Sequence, residues 1–205
     1  MAAGCARIPL LDALVKAPAS PLNEADLNDD FSDKDSGWGT LKYPEGTAGY
    51  VKDTYQITVA QKNTDLFITY PRIYVNSEIT VSVSRLEGSD NNNYGLVCRY
   101  QDNKNFYAGQ ISSDGYAGIF KMEKGIYGLL GREFMTPVPA ILGGGAVNTV
   151  TFSCLEDTLT LSVNGEMADE QKDDAFATGE NGIIAGNIDG DYGVFQFDDF
   201  SSIVK

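Results

Sequence analysis

The sequence contains no histidine. Its absence removes the commonest general base, the usual zinc ligand and the Ser-His-Asp triad. Basic residues are scarce: 15 Lys and Arg stand against 29 Asp and Glu, a formal net charge of −14. Binding a phosphate backbone needs a basic stripe to displace counterions, so nucleic acid is not an expected partner. No apolar run approaches the roughly 18 residues of a membrane-spanning helix. No helical periodicity appears beyond a short apolar patch near the N-terminus (Ile8, Leu10, Leu11, Leu14, Val15).

What remains is rich in strand formers and turns. The 205 residues include 11 Tyr, 10 Phe and 22 Gly, and 42% are hydrophobic, enough to bury one sizeable core. Tyr55, Ile57 and Val59 alternate with Gln56 and Thr58, and Ile79, Val81 and Val83 with Thr80 and Ser82. Leu159, Leu161 and Val163 alternate with Thr160 and Ser162. A period of two places one face on a core and the other in solvent. Ser113-Asp114-Gly115 and Asn164-Gly165 are hairpin signals. Many short strands at even spacing predict an all-β sandwich or barrel. Residues 1–28 read as a tether or short helix, and 29–205 as one domain.

Three cysteines are present. Cys98 and Cys154 lie in strand-like stretches, and Cys5 stands apart. The arrangement predicts a Cys98–Cys154 disulfide, with two buried free thiols as the alternative. A bridge would place the chain in an oxidising compartment. Ala2-Ala3-Gly4-Cys5 resembles the end of a bacterial lipobox, which makes Cys5 a candidate lipidation site. A chance run of small residues is the other reading. Membrane attachment is expected only through such a lipid.

Several segments in order resemble a known family. They are Asp29-Asp30-Phe31-Ser32-Asp33, Gly95-Leu96-Val97-Cys98-Arg99-Tyr100-Gln101-Asp102, Asn105-Phe106-Tyr107, Ile111-Ser112-Ser113-Asp114-Gly115-Tyr116, Asp157 to Gly165, and Phe197-Asp198-Asp199-Phe200. Together they resemble the concanavalin A-like lectin/glucanase domains, close to the laminin-G-like domains of bacterial surface lipoproteins. The resemblance covers Asp29 to Lys205 and implies a two-sheet antiparallel jelly-roll sandwich. It implies that the first and last strands lie side by side, that sugars bind on a concave sheet, and that calcium is bound in some members. Juxtaposed termini would bring Asp30 near Asp198 and Asp199, a candidate calcium site.

Glycosidases of this superfamily carry Glu-x-Asp-x-(x)-Glu on one strand, which aims paired carboxylates into one cleft. That spacing is missing here. If Cys98 and Ile111 face the core, the opposite face of their sheet carries Arg99, Phe106 and Gln110, with Tyr116 nearby. Rings for stacking and planar donors suit a sugar, so these four are the candidate ligand contacts. The competing reading makes the rings core and Arg99 an ordinary surface residue. Trp38 is either a loop platform for ligand or a cap on the core. The leading functional reading is a noncatalytic carbohydrate-binding module at the cell surface or outside the cell, with a glycan as partner. The alternative is a protein-interaction or sensor domain of a surface lipoprotein. A glycosidase-related enzyme comes third.

Overall fold

The alternating stretches are strands, and the apolar member of each alternation faces one shared core. The computed structural model describes residues 25–205. The first strands are β1 (Leu27–Asp29), β2 (Leu41–Tyr43), β3 (Gly46–Val51), β4 (Thr54–Val59), β5 (Thr64–Tyr74) and β6 (Ser77–Glu87). There follow β7 (Asn92–Asp102), β8 (Asn105–Ile111), β9 (Tyr116–Glu123), β10 (Ile126–Leu129) and β11 (Thr136–Pro137). The last are β12 (Asn148–Leu155), β13 (Thr158–Val163), β14 (Glu166–Lys172), β15 (Gly179–Asn187) and β16 (Gly193–Val204). No helix occurs among the described residues. Cys5 and the expected tether up to Glu24 lie outside them.

The strands form two antiparallel sheets. One runs β14-β13-β12-β6-β16-β4-β3-β2, with β1 also paired to β16; the other runs β10-β9-β8-β7-β15-β5, with β11 paired to β9. The register Asp29↔Phe200 and Leu27↔Ser202 sets the first and last strands side by side. Strand pairing therefore begins at Leu27, inside the stretch read as tether. Asn164 and Gly165 turn β13 into β14 with φ of 52° and 84°. Two successive positive φ values define the turn whose twist matches a hairpin, and Asn-Gly tolerates both.

Between the sheets lies one large core. Tyr55, Ile57 and Val59, then Ile79, Val81 and Val83, then Leu159, Leu161 and Val163 are all sealed from solvent. Trp38 is buried among Phe31, Tyr55, Tyr70 and Phe200, and its Nε1 donates to Asp29 Oδ2 at 3.0 Å. It caps the core and is not a ligand platform. Cys98 and Cys154 form a disulfide between the sheets, with Cα atoms 6.8 Å apart. In the chain-entropy model a closed loop of this size, spanning 56 positions, is worth ~4 kcal/mol.

Candidate functional site

Alternation gives the seven-stranded sheet a second face, directed away from the core. On β5, Leu66 and Ile68 point inward, so Asp65, Phe67 and Thr69 point outward. By the same parity Asn93 and Val97 on β7, and Phe106, Ala108 and Gln110 on β8, stand on that outer face. It carries a separate apolar cluster of Val97, Phe106, Ala108, Met122 and Ile184. Half-buried rings cover it. Tyr100, Phe67, Phe106, Tyr127 and Phe120 form a continuous row, with successive centroids 5.4, 5.1, 6.1 and 5.1 Å apart. Phe120 and Tyr127 are parallel within 10°. Offset stacking is a favoured arrangement of two rings, and the remaining contacts of the row are tilted by 42–57°.

At one end of the row the rings border a pocket of about 470 Å³. Asp65 and Asn93 line it together with Tyr116, Phe120 and Tyr127, and Phe134, Met135 and Ile188 stand at its apolar rim. Asn93 Nδ2 donates to Asp65 Oδ1 at 3.0 Å. Asn93 Oδ1 is buried and has no partner. Desolvation raises the Asp65 carboxyl to about 6, against the opposing pull of the Asn93 hydrogen bond. Burial, with the charge of Asp65 added, pushes the Tyr127 phenol well up, so it stays protonated and donates. Its hydroxyl donates to Gln110 Oε1 at 2.7 Å.

A glycine makes this pairing of acid and amide possible. In the sheet β15 runs between β7 and β5, and Gly186 is in register with both Asn93 and Asp65. A Cβ at Gly186 would lie 1.8 Å from Asp65 Oδ1 and 2.1 Å from Asn93 Oδ1. The missing side chain leaves the space across which the two reach each other.

The four residues expected to bind ligand separate. Tyr116 is 41% exposed and lines the pocket. Phe106 lies on the expected face as the floor of the aromatic row, 2% exposed. Gln110 is also on that face but fully buried beneath Tyr127, with Nε2 unpartnered. Arg99 is a correction, for it does not lie on the outer face at all. The β7–β8 pairing shifts register after Cys98, and Arg99 has φ of 51°. The bulge breaks the alternation that would have pointed Arg99 outward. Its guanidinium, 2% exposed, donates to the carbonyls of Val75, Glu156, Phe176 and Cys154 and to Asn76 Oδ1. All five donors of the group are thereby used inside the protein. Arg99 staples strand ends beside the disulfide.

Asp65, Asn93, Phe120 and Tyr127 were not among the expected contacts. The signal for Asp65 was present in Thr64-Asp65-Leu66-Phe67-Ile68, where an acid and a ring share the face opposite two aliphatics. Nothing in the chain's order announces that Asn93 will meet it over a glycine.

The first and last strands bring Asp30 and Asp198 to the same end of the sheet, as the register Asp29↔Phe200 requires. Asp30 Oδ1 accepts from the Ser32 amide and hydroxyl, and Asp198 Oδ1 accepts from the Asp199 amide. Burial, then the charges of Asp199, Asp30 and Asp53, raise the Asp198 carboxyl. These groups sense one another, yet among the described residues no set of three acidic, His or Cys side chains is placed to hold a metal.

No sequence family and no curated protein matches the chain. Solved structures do. The carbohydrate-binding module CBM66 from Bacillus subtilis superposes with a TM-score of 0.67 at 16% identity, over 82% of this chain and 95% of that one. The transglycosylase Crh5 gives 0.66 at 12% identity over 92% and 88%. A GH16 protein from a Bacteroides ovatus mixed-linkage glucan locus gives 0.58 at 12% identity over 86% and 99%. Identities this low establish architecture alone, and the architecture is the concanavalin A-like jelly roll.

Proposed function

We propose that this chain is a noncatalytic carbohydrate-binding module acting outside the cytoplasm, and that its glycan site is the pocket on the outer face of the seven-stranded sheet. The observation that carries the reading is the paired Asp65 and Asn93 set at the end of an aromatic row whose last two rings, Tyr127 and Phe120, are stacked. Sugars present apolar ring faces to aromatic side chains and hydroxyls to polar ones, and this pocket supplies both. The fold is shared with a carbohydrate-binding module and with carbohydrate-active enzymes. Fold alone does not assign function, so the argument rests on the pocket. The disulfide supports an oxidising compartment.

The noncatalytic part rests on carboxylate spacing. Glycosidases hold two carboxyl groups roughly 5–9.5 Å apart. Glu180, whose carboxyl burial also raises, shares the outer face and accepts from Thr69 Oγ1. Its carboxylate is held at Thr69, four positions along β5 from Asp65, or ~13 Å at strand rise. Asp114, on the exposed turn after β8, follows a strand whose backbone lies three spacings from β5, or ~14 Å. Neither shares a strand with Asp65, and the Glu-x-Asp-x-(x)-Glu spacing is missing from the sequence.

The test is a binding panel of neutral polysaccharides in affinity gels, run with the native chain and Phe120→Ala. Retardation of the native chain that weakens in the variant supports the reading. Absence of retardation across the panel, or an unchanged variant, removes it.

A further inference from the structure

We propose that Asp65 and Asn93 act as a specificity clamp that accepts a neutral sugar unit presenting adjacent hydroxyls and rejects uronic, sialic and sulfated glycans. The inference rests on the pocket being the glycan site and adds the class of glycan it takes.

The first ground is donor and acceptor matching. An ionised carboxylate only accepts, with about four lone-pair positions, and Asp65 uses one of them on Asn93 Nδ2. That bond also fixes the amide orientation, because the nitrogen must face the acid. Asn93 Oδ1 is therefore a second acceptor, in a residue only 6% exposed, and it has no protein partner. A buried acceptor without a donor is costly, and a ligand hydroxyl removes that cost. Both oxygens border Gly186 closely enough for one added carbon to clash with each, so they form one adjacent pair of acceptors, which matches neighbouring hydroxyls of one sugar ring. Such hydroxyls are donors. A carboxylate or sulfate brings only acceptors.

Charge is the second ground. Among the described residues lining the pocket there is no Lys or Arg, whereas Asp65 and Asp114 are both present. The whole chain carries −14. An anionic sugar would meet repulsion with no cation to offset it, in a half-enclosed site where screening is weakened. The third ground is the wall. Phe120 and Tyr127 present their rings beside the clamp, so a sugar held by its hydroxyls also meets an apolar surface.

The experiment is titration calorimetry on the full chain against two oligosaccharide panels. The neutral panel holds cello-, xylo-, manno-, galacto- and fructo-oligosaccharides; the anionic panel holds oligogalacturonate, oligomannuronate and heparin fragments. Asp65→Asn, Asn93→Ala and Phe120→Ala are measured alongside, each checked for folding by thermal melting. The expected result is binding in the neutral panel only. Asp65→Asn and Asn93→Ala then lower affinity tenfold or more, and Asp65→Asn narrows the gap between neutral and anionic ligands. If anionic ligands bind as tightly as neutral ones, the clamp is wrong. The same holds if Phe120→Ala weakens binding while Asp65→Asn and Asn93→Ala leave it unchanged; the pocket then stands without the clamp. If no ligand binds, or Phe120→Ala changes nothing, the pocket itself is wrong and the clamp falls with it.

Discussion

Asn93 and Asp65 are hydrogen-bonded at 3.0 Å although a whole strand separates theirs in the sheet. The bond passes over Gly186, the one residue of β15 in register with both. Two side chains from β7 and β5 thereby meet on the outer face, and Asn93 Oδ1 is left without a protein partner.

Gly186→Ala should abolish this meeting without abolishing the fold. The glycine is not in the left-handed region, so the cost is steric, and what the new methyl displaces is the ends of two short side chains. Overpacking of this kind costs ~1–3 kcal/mol. Urea melts should show a cooperative transition moved by that amount, and glycan affinity should fall at least tenfold. Native affinity in the variant would contradict the arrangement.

Arg99 makes the opposite prediction. Replacing it with Met leaves four carbonyls without this donor, two of them in buried bonds, those of Phe176 and Cys154. Each unsatisfied acceptor costs ~1–3 kcal/mol, not additively. Arg99→Met should therefore lose on the order of 3 kcal/mol of stability in chemical denaturation, while its folded fraction binds glycan as the native chain does. A stable variant with lost affinity would return Arg99 to the ligand site.

The disulfide is tested on the unreduced, denatured chain. No more than one free thiol should be counted, since Cys98 and Cys154 are bonded. Cys98→Ala with Cys154→Ala should lower unfolding free energy by up to ~4 kcal/mol. Two or more free thiols would contradict the bridge.

Much of the framework could be read in the sequence, because a period of two depends on local residues alone. The strands around Ile57, Val81 and Leu161 and the hairpin at Asn164-Gly165 are of that kind; the Cys98–Cys154 bridge joins distant strands and followed from there being two strand cysteines. The site could be read only in part. Phe106 and Gln110 were placed on the right face, because alternation holds along β8. Arg99 was misplaced, because one residue with positive φ shifts the parity of everything after it, and no residue type there signals it. Asp65 and Asn93 are 28 positions apart, and their meeting depends on which strand separates them. That is a property of topology and is not written in either segment.

Affinity should depend on pH through Asp65. Its carboxyl is raised to about 6 in the folded chain, from an ordinary value of 3.8. A raised carboxyl means the folded state holds a proton more readily than the unfolded one, so the unliganded chain bears a penalty above pH 6. That penalty fades as pH falls from 6 toward 4. A ligand that donates hydroxyls to the ionised form reverses the preference. Binding should hold steady from pH 8 to 7 and weaken about tenfold per unit below 6. Tyr127 keeps its proton throughout this range. Calorimetry at pH 7.5, 6.5 and 5.5 reads the effect, and Asp65→Asn should flatten it. A profile that is flat in the native chain would contradict the role of the carboxylate.

The most direct measurement is a nitrogen-15 NMR titration of the chain with the neutral oligosaccharide that binds best. The account predicts saturable shifts at Asn93, Tyr116, Phe120, Tyr127 and Gly186, with the nine-stranded sheet unchanged. Shifts confined to the nine-stranded sheet or its acidic end near Asp30 and Asp198, or no shifts with any neutral oligosaccharide at millimolar concentration, would contradict it.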